Sequence, residues 1–231
     1  MIIPQENKKM FNSIADGYDL TNNIITLGFH KSWYRLIVKK SNLSSGSRAL
    51  DCATGTGNVA IAFKEHFGNS VDVTAVDVAE NMLKLASEKA SNKGIRIGFI
   101  QCDILEMPFE NNKFDVSTIS FGIRNTESIE KCLIEMARVV KPGGKVIILE
   151  TGNISGISGM IFSVYQKIFV GNIGKYITKN ESAYKFFVES SNRFPSGKEF
   201  LKIMDSTGVF SKTEFQKQML GTIFLYTGIV D

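Results

Sequence analysis

The chain is poor in the features that mark disulfide scaffolds, exported proteins, membrane bundles and nucleic-acid binders. Its three cysteines, Cys52, Cys102 and Cys132, are odd in number, show no CxxC spacing and each sits in a stretch that reads as a regular element. That argues against a disulfide framework and for a reduced, intracellular protein. The opening MIIPQENKKMF has no uninterrupted apolar core and no small-residue cleavage site, so no secretory signal is expected and the chain is read as cytoplasmic. Lysine and arginine are scattered, and a net charge of +4 allows attraction to anionic lipid surfaces without suggesting a nucleic-acid partner. Long apolar runs are also missing. The nearest approach, residues 154–173, carries only Lys167 as a charge but is broken by Gly156, Gly159, Gln166, Gly171 and several serines. A spanning helix wants ~20 predominantly apolar residues, so this stretch reads as a cap on a globular domain. There is no internal repeat and no low-complexity tract.

What is present suits one α/β domain covering residues 1–231, since 43% hydrophobic and 22% charged residues are ordinary globular values. From residue 47 onward, β-rich runs (SRALDCA, VDVTAVD, IRIGFIQ, FDVSTISF, GGKVIILE) alternate with longer amphipathic stretches. That alternation predicts a mostly parallel sheet with helices on both faces. The runs near 50, 75, 117 and 147 are apolar almost throughout and are expected at its centre. Helices are predicted over Glu80 to Asn92, with Gly94 just past the end, and over Glu127 to Val140, where KPGG stops the helix and starts the next strand. A helical extension carrying Trp33 fills residues 1–43, a helical cap insert fills 153–195, and the tail from Gly208 reads as an antiparallel hairpin at a sheet edge.

The chemistry concentrates at the strand ends. Asp51-Cys52-Ala53-Thr54-Gly55-Thr56-Gly57-Asn58 follows the first strand and opens a helix, a position where open α/β sheets bind ligands. Gly55 and Gly57 let a ligand lie against bare backbone. A nicotinamide dinucleotide is one candidate: Asp77 ends the second strand at the right distance to bind ribose hydroxyls, and Ala60 is tolerated at the third glycine position. Asp51 and Asp103 favour another. An acidic rim repels a pyrophosphate and attracts the sulfonium and amino group of S-adenosylmethionine. Taken singly, Asp77 also suits a helix cap and Asp103 a turn. Ser120-Phe121-Gly122-Ile123-Arg124-Asn125 ends the fourth strand on the same edge, where Arg124 and Asn125 can reach an acceptor. Their plainer reading is a surface arginine and a cap for a helix starting at Thr126. His30 beside Trp33 suits a base by its ordinary pKa, but a lone histidine there is more often structural. No metal is expected.

The segments FNSIADGYDLTNNIITLGFHKSWYR, DCATGTGN, AVDVAENML, ISFGIRN, ARVVKPGGKVIILE and YKFFVESSNRFP together resemble the ubiquinone/menaquinone biosynthesis C-methyltransferases, from about residue 8 to the C-terminus. The resemblance implies a Rossmann-like class I methyltransferase fold of seven strands that uses S-adenosylmethionine to methylate a ring carbon of a prenylated quinol, demethylmenaquinol to menaquinol first. It implies donor contacts from Thr56, Asp77, Asp103, Ile104 and Ser120, joining Asp51, Gly55 and Gly57, and acceptor contacts from Tyr18, Arg124 and Asn125. Two positions depart from the family: Asn58 replaces a usual aspartate, and Tyr226 a common histidine. Other acceptors, such as another lipid or a small phenol, share the donor site, and a non-catalytic donor-binding partner protein is the other class. The N-terminal helices and the insert are expected to form a lid. On the insert, Ile157, Ile161, Val164, Tyr165 and Ile168 share a helical face suited either to a prenyl tail and peripheral membrane contact or to burial on the core. A homodimer is left open.

Overall fold

Strands that are apolar on both faces need cover on both faces, and the sheet receives it. The computed structural model describes residues 4–152 and 189–231. Its strands are β1 (Arg48–Cys52), β2 (Asp72–Asp77), β3 (Gly98–Gln101), β4 (Phe114–Ser120), β5 (Val140–Thr151), β6 (Phe210–Gln218) and β7 (Ile223–Val230). They form one seven-stranded sheet in the order β3-β2-β1-β4-β5-β7-β6. β1 to β5 pair in parallel, while β7 is antiparallel to both β5 and β6, so it runs against the other six. The four strands expected at the centre are interior, and the C-terminal hairpin closes one edge.

Six α-helices of nine residues or more lie among the described residues: α1 (Pro4–Ile25), α2 (His30–Ser41), α3 (Asn58–Phe67), α4 (Glu80–Asn92), α5 (Ile129–Arg138) and α6 (Lys198–Ser206). Successive strand residues point to opposite faces, which divides the core in two. Ala49, Val73, Val116 and Ile147 meet Trp33 and Ile37 of α2 and Val59 and Phe63 of α3. Their strand neighbours Leu50, Ile119 and Ile148 meet Leu133 and Met136 of α5 and Phe200 and Met204 of α6. Each large apolar side chain buried this way contributes roughly 1.5–3 kcal/mol. A third cluster joins Ile14 and Ala15 of α1 to Ala79 and to Met82 of α4, laying the N-terminal helix beside the loop after β2.

Some boundaries differ from the sequence reading. α4 begins and ends where expected, but α5 starts later, capped by the Ser128 side chain, which accepts from the Lys131 N–H at 3.2 Å. A hydroxyl two residues past Thr126 can reach that orphan donor, so Asn125 does not cap this helix. KPGG does not begin a strand either. β5 is already under way at Val140, and Lys141 to Gly144 bulge out of it between the Phe114–Val140 and Val116–Lys145 pairs. A Cβ on Gly144 would lie 2.5 Å from Val140 Cγ1 and 2.8 Å from the Asp115 carbonyl oxygen. Most of the 153–195 insert, including the face from Ile157 to Ile168, lies outside the described residues; its last part, residues 189–193, is helical. No helix among the described residues is long and apolar enough to cross a membrane.

Gly57 shows how packing and loop geometry combine. It sits just before α3 at φ +79°, and a Cβ there would stand 2.9 Å from the Ala86 Cβ of α4. Its bare α-carbon therefore serves the close approach of two helices. Gly57→Ala is expected to lower stability by ~1–3 kcal/mol through left-handed strain and overpacking together. A thermal melt checks it, at about 2–4 °C per kcal/mol for a chain of this size; an unchanged midpoint means α4 moves aside at no cost.

Candidate active site

The carboxyl ends of β2, β1 and β4 lie side by side, and the strand order reverses between β1 and β4, the position where open α/β sheets place a ligand crevice. A cleft with about 850 Å³ of empty volume, open to solvent, occupies that edge. Its walls include Gly55 from the loop after β1, Asp77 at the end of β2, Asp103 and Ile104 after β3, Ser120 at the end of β4, and Asn125 from the turn beyond it. A smaller lobe shares Tyr18, Gly55 and Ser120 with the cleft and adds Asp51, Thr54, Thr56 and Asn58. Of the eleven site residues expected from sequence, nine line one lobe or the other, and Gly57 and Arg124 line neither.

The floor is organised by two buried carboxylates. Asp77 accepts the Gly55 N–H on Oδ2 and the Ala79 N–H on Oδ1, both at 2.8 Å, so one side chain ties the loop after β1 to the loop after β2. A carboxylate has about four lone-pair sites, and these two bonds leave room for ligand hydroxyls. Gly55 holds φ +55°, and only the Tyr18 ring, at 3.9 Å, comes near where its Cβ would be. Here the absent side chain does open space toward the cleft. Asp51 accepts from Thr54 Oγ1 at 2.6 Å and from Thr118 Oγ1 at 2.8 Å. Burial pushes the Asp51 carboxyl up to about 6, with the Asp77 charge adding to the rise; burial likewise raises Asp77, outweighing its backbone hydrogen bonds. Two carboxylates whose ionised forms burial disfavours form a site that a cation relieves and an anion aggravates. Ser120 adds a buried hydroxyl with no hydrogen-bond partner among the described residues. Asp103 is exposed and folds back on the Leu105 N–H at 2.9 Å as a turn residue while still bordering the cleft.

The N-terminal helix supplies the roof. Phe11 and Tyr18 of α1 line the cleft, and burial raises the Tyr18 pKa, with the charge of Arg124 acting the other way. Asp19, the next residue, accepts from Thr56 Oγ1 at 2.6 Å, Asn58 Nδ2 at 3.0 Å and Lys89 Nζ at 2.5 Å, pinning α1 to the glycine loop and to α4. Burial works against the Asp19 charge, but these partners together hold its carboxyl below the usual range. Phe11 and Asp19 were missed in the sequence reading, although Phe11, Ala15 and Tyr18 stand at i, i+4 and i+7 on one helical face. His30 lies outside both lobes. Its Nδ1 is 2.6 Å from Thr26 Oγ1, whose own proton goes to the Asn22 carbonyl, so the imidazole is the donor; its ring meets Tyr34 edge-on. Tyr226 is buried under α6, its hydroxyl accepting the Gly197 N–H at 2.7 Å, which gives it a packing role. Arg124 is not a surface residue: its side chain is 4% exposed and paired with Glu150.

A doubly wound sheet, a glycine turn and an acid-floored crevice suit a methyltransferase that uses S-adenosylmethionine. An S-adenosylmethionine-dependent methyltransferase of Aquifex aeolicus shares the fold with a TM-score of 0.62 at 19% identity, over 86% of this chain and 89% of its own. The profile of the ubiE/COQ5 methyltransferase family matches residues 3–230, and the chain belongs to that family. The ubiquinone/menaquinone biosynthesis C-methyltransferase UbiE of Bdellovibrio bacteriovorus is 39% identical over 98% of this chain and 97% of its own length. The protein of the same name from Francisella tularensis subsp. novicida is 34% identical over 98% of this chain and 93% of its own.

The raised pKa of Asp51 predicts a pH dependence of definite sign for a cationic ligand bound against it. Above about 6 the side chain is ionised and attracts a cationic ligand; below it the free protein holds a proton that the ligand must displace. Affinity for S-adenosylmethionine is expected to be flat above pH 7 and to fall by roughly 10-fold per pH unit once well below that pKa. Titration calorimetry across pH 5–8 checks this, with Asp51→Asn expected to bind weakly and to flatten the profile. A wild-type profile without the fall would remove Asp51 from contact with the donor's charge.

Proposed function

We propose that this methyltransferase moves the methyl group of S-adenosylmethionine to a ring carbon of demethylmenaquinol, giving menaquinol. The observation that carries the reading is the near full-length likeness to carbon methyltransferases named for ubiquinone and menaquinone biosynthesis. The donor supplies a methyl on a sulfonium, which leaves as the sulfur takes back the bonding electron pair. Asp77 receives the donor's hydroxyls, Asp51 faces its ammonium end with Thr56 beside it, and Ser120, Asp103 and Ile104 complete the contacts. Carbon is a weak nucleophile unless the ring is electron-rich, so the acceptor's hydroxyl must be ionised or strongly hydrogen-bonded as the carbon attacks. Tyr18, whose buried phenol stays protonated, and Asn125 offer donors for that oxygen, and the positive charge of Arg124 favours a phenolate. The ring proton displaced by the new carbon–carbon bond then leaves to solvent.

Holding the reactants in line and dry supplies ~7 to 11 kcal/mol in favourable cases. In this reading α1 excludes water, with Phe11 and Tyr18 over the cleft and Asp19 as its latch. The chain acts as a single domain whose 153–195 insert completes the lid, and the apolar face of that insert meets the prenyl tail at a membrane surface.

Incubating the protein with S-adenosylmethionine and a panel of demethylmenaquinol, demethyl ubiquinol precursors and simple phenols tests the substrate. The expected product is menaquinol, one methylene unit heavier by mass spectrometry. Preferential methylation of another acceptor replaces the substrate, and no incorporation at all favours a non-catalytic binding protein. Separately, Ile161→Asp with Ile168→Asp is expected to reduce partition onto anionic liposomes while donor affinity holds; unchanged partition rejects membrane contact through that face.

A further inference from the structure

Arg124 belongs to the short 3-10 turn Ile123–Asn125 just past β4, and Glu150 lies near the end of the neighbouring strand β5. Their side chains are 4% and 0% exposed, and Arg124 Nη1 donates to Glu150 Oε1. The same oxygen accepts the Thr151 N–H at 2.7 Å and Thr151 Oγ1 at 3.2 Å, whereas Oε2 is buried with no partner among the described residues. Arg124 Nε also donates to Ser190 Oγ at 3.3 Å. The turn has little freedom: Ile123 is fully buried, and a Cβ on Gly122 would lie 2.8 Å from the Ala53 Cβ in the loop after β1.

A pair of this kind is an inefficient way to stabilise a fold. Desolvating two charges costs several kcal/mol each, and well-packed apolar residues of similar volume are often as stable or more so. One-sided pairing with an idle carboxylate oxygen makes that cost harder to offset. Glu150 nevertheless stands at the ligand edge of the sheet, behind the turn that carries Asn125 into the cleft, and the Arg124 charge reaches the Tyr18 phenol on the cleft's other wall. We infer that Glu150 is a positioning residue for methyl transfer: its carboxylate fixes the Arg124 guanidinium, and with it the turn bearing Asn125, at the acceptor end of the cleft. The inference rests on the proposed function, in which Arg124 serves the acceptor.

The test uses the full chain with S-adenosylmethionine and a short-chain demethylmenaquinol in detergent micelles, measuring kcat, acceptor KM and donor affinity separately. Glu150→Gln keeps the size and the Oε1 acceptor but removes the charge. It is expected to lower kcat by ~10- to 100-fold, the usual effect of a misplacement of about 1 Å, with donor affinity within about two-fold of wild type. Glu150→Asp keeps the charge but withdraws it by one methylene, and should lie between the two; it serves alone if Glu150→Gln fails to fold. The double variant Arg124→Gln with Glu150→Gln should be no slower than Arg124→Gln, because the two residues act as a unit. Full kcat in folded Glu150→Gln or Glu150→Asp, or losses that simply multiply in the double variant, would overturn the inference. If Arg124→Gln itself keeps full kcat, the acceptor role of Arg124 falls and this inference with it. Loss in Arg124→Gln beside a normal Glu150→Gln sinks only the part played by Glu150.

Discussion

The Asp77 carboxylate is the tie on which the crevice depends. By accepting one N–H from the loop after β1 and one from the loop after β2, it carries the joining of these two segments beyond the bond from the Thr54 N–H to the Val76 carbonyl at 2.9 Å. Gly55 can keep its left-handed conformation because the N–H it turns inward is satisfied; a buried, unpaired N–H would cost roughly 1–3 kcal/mol. Burial raises the carboxyl toward neutrality all the same, so the tie is held under electrostatic load. A positively charged ligand lowers that load, which couples the stiffness of the floor to occupancy of the cleft.

The roof is tied to the same loop by a different chemistry. Asp19 gathers three donors from α3, α4 and the glycine turn, and Asn58 both donates to Asp19 and accepts from Lys89 at 3.1 Å. An aspartate at position 58 would set a second carboxylate against Asp19 with one lysine to share. The asparagine avoids that repulsion and so strengthens the α1 latch. Asp19 and Lys89 remain partly exposed, which keeps the latch exchangeable with water; a lid that admits a substrate needs attachment of this modest strength.

Much of this was legible in the sequence because it is local. Short apolar, β-rich runs located the strands, their burial on both faces placed β1, β2, β4 and β5 inside, and α4 could be bounded by its stripe and Gly94. The glycine turn and the acids at the ends of β1 and β2 were visible for the same reason. The misreadings share a cause. Gly57 was assigned to ligand approach, and nothing in the sequence signalled the further constraint from Ala86, a residue on another helix. Glu150 passed as the last residue of a strand, and Arg124 was weighed between the surface and the acceptor, because nothing local to either reports a pairing 26 residues apart. KPGG looked like a stop followed by a start, since a bulge inside a strand and a turn between elements use the same glycines. Tertiary partners, not element types, were the missing information.

That division of labour also explains the sign pattern of the edge. The tops of β1 and β2 carry carboxylates buried in the floor, whereas the turn past β4 carries the guanidinium whose field reaches Tyr18. A methyl transfer from a sulfonium to an ionised ring begins with positive charge on one reactant and negative charge on the other and ends with both neutral. A protein that simply matched those charges would bind the reactants better than the transition state. The burial seen here tempers the match: Asp51 and Asp77 are disfavoured as anions, and the Arg124 charge is offset by Glu150 behind it. In the proposed reaction each half of the cleft thus orients its ligand without holding the separated charges too tightly, and alignment, more than attraction, is left to lower the barrier.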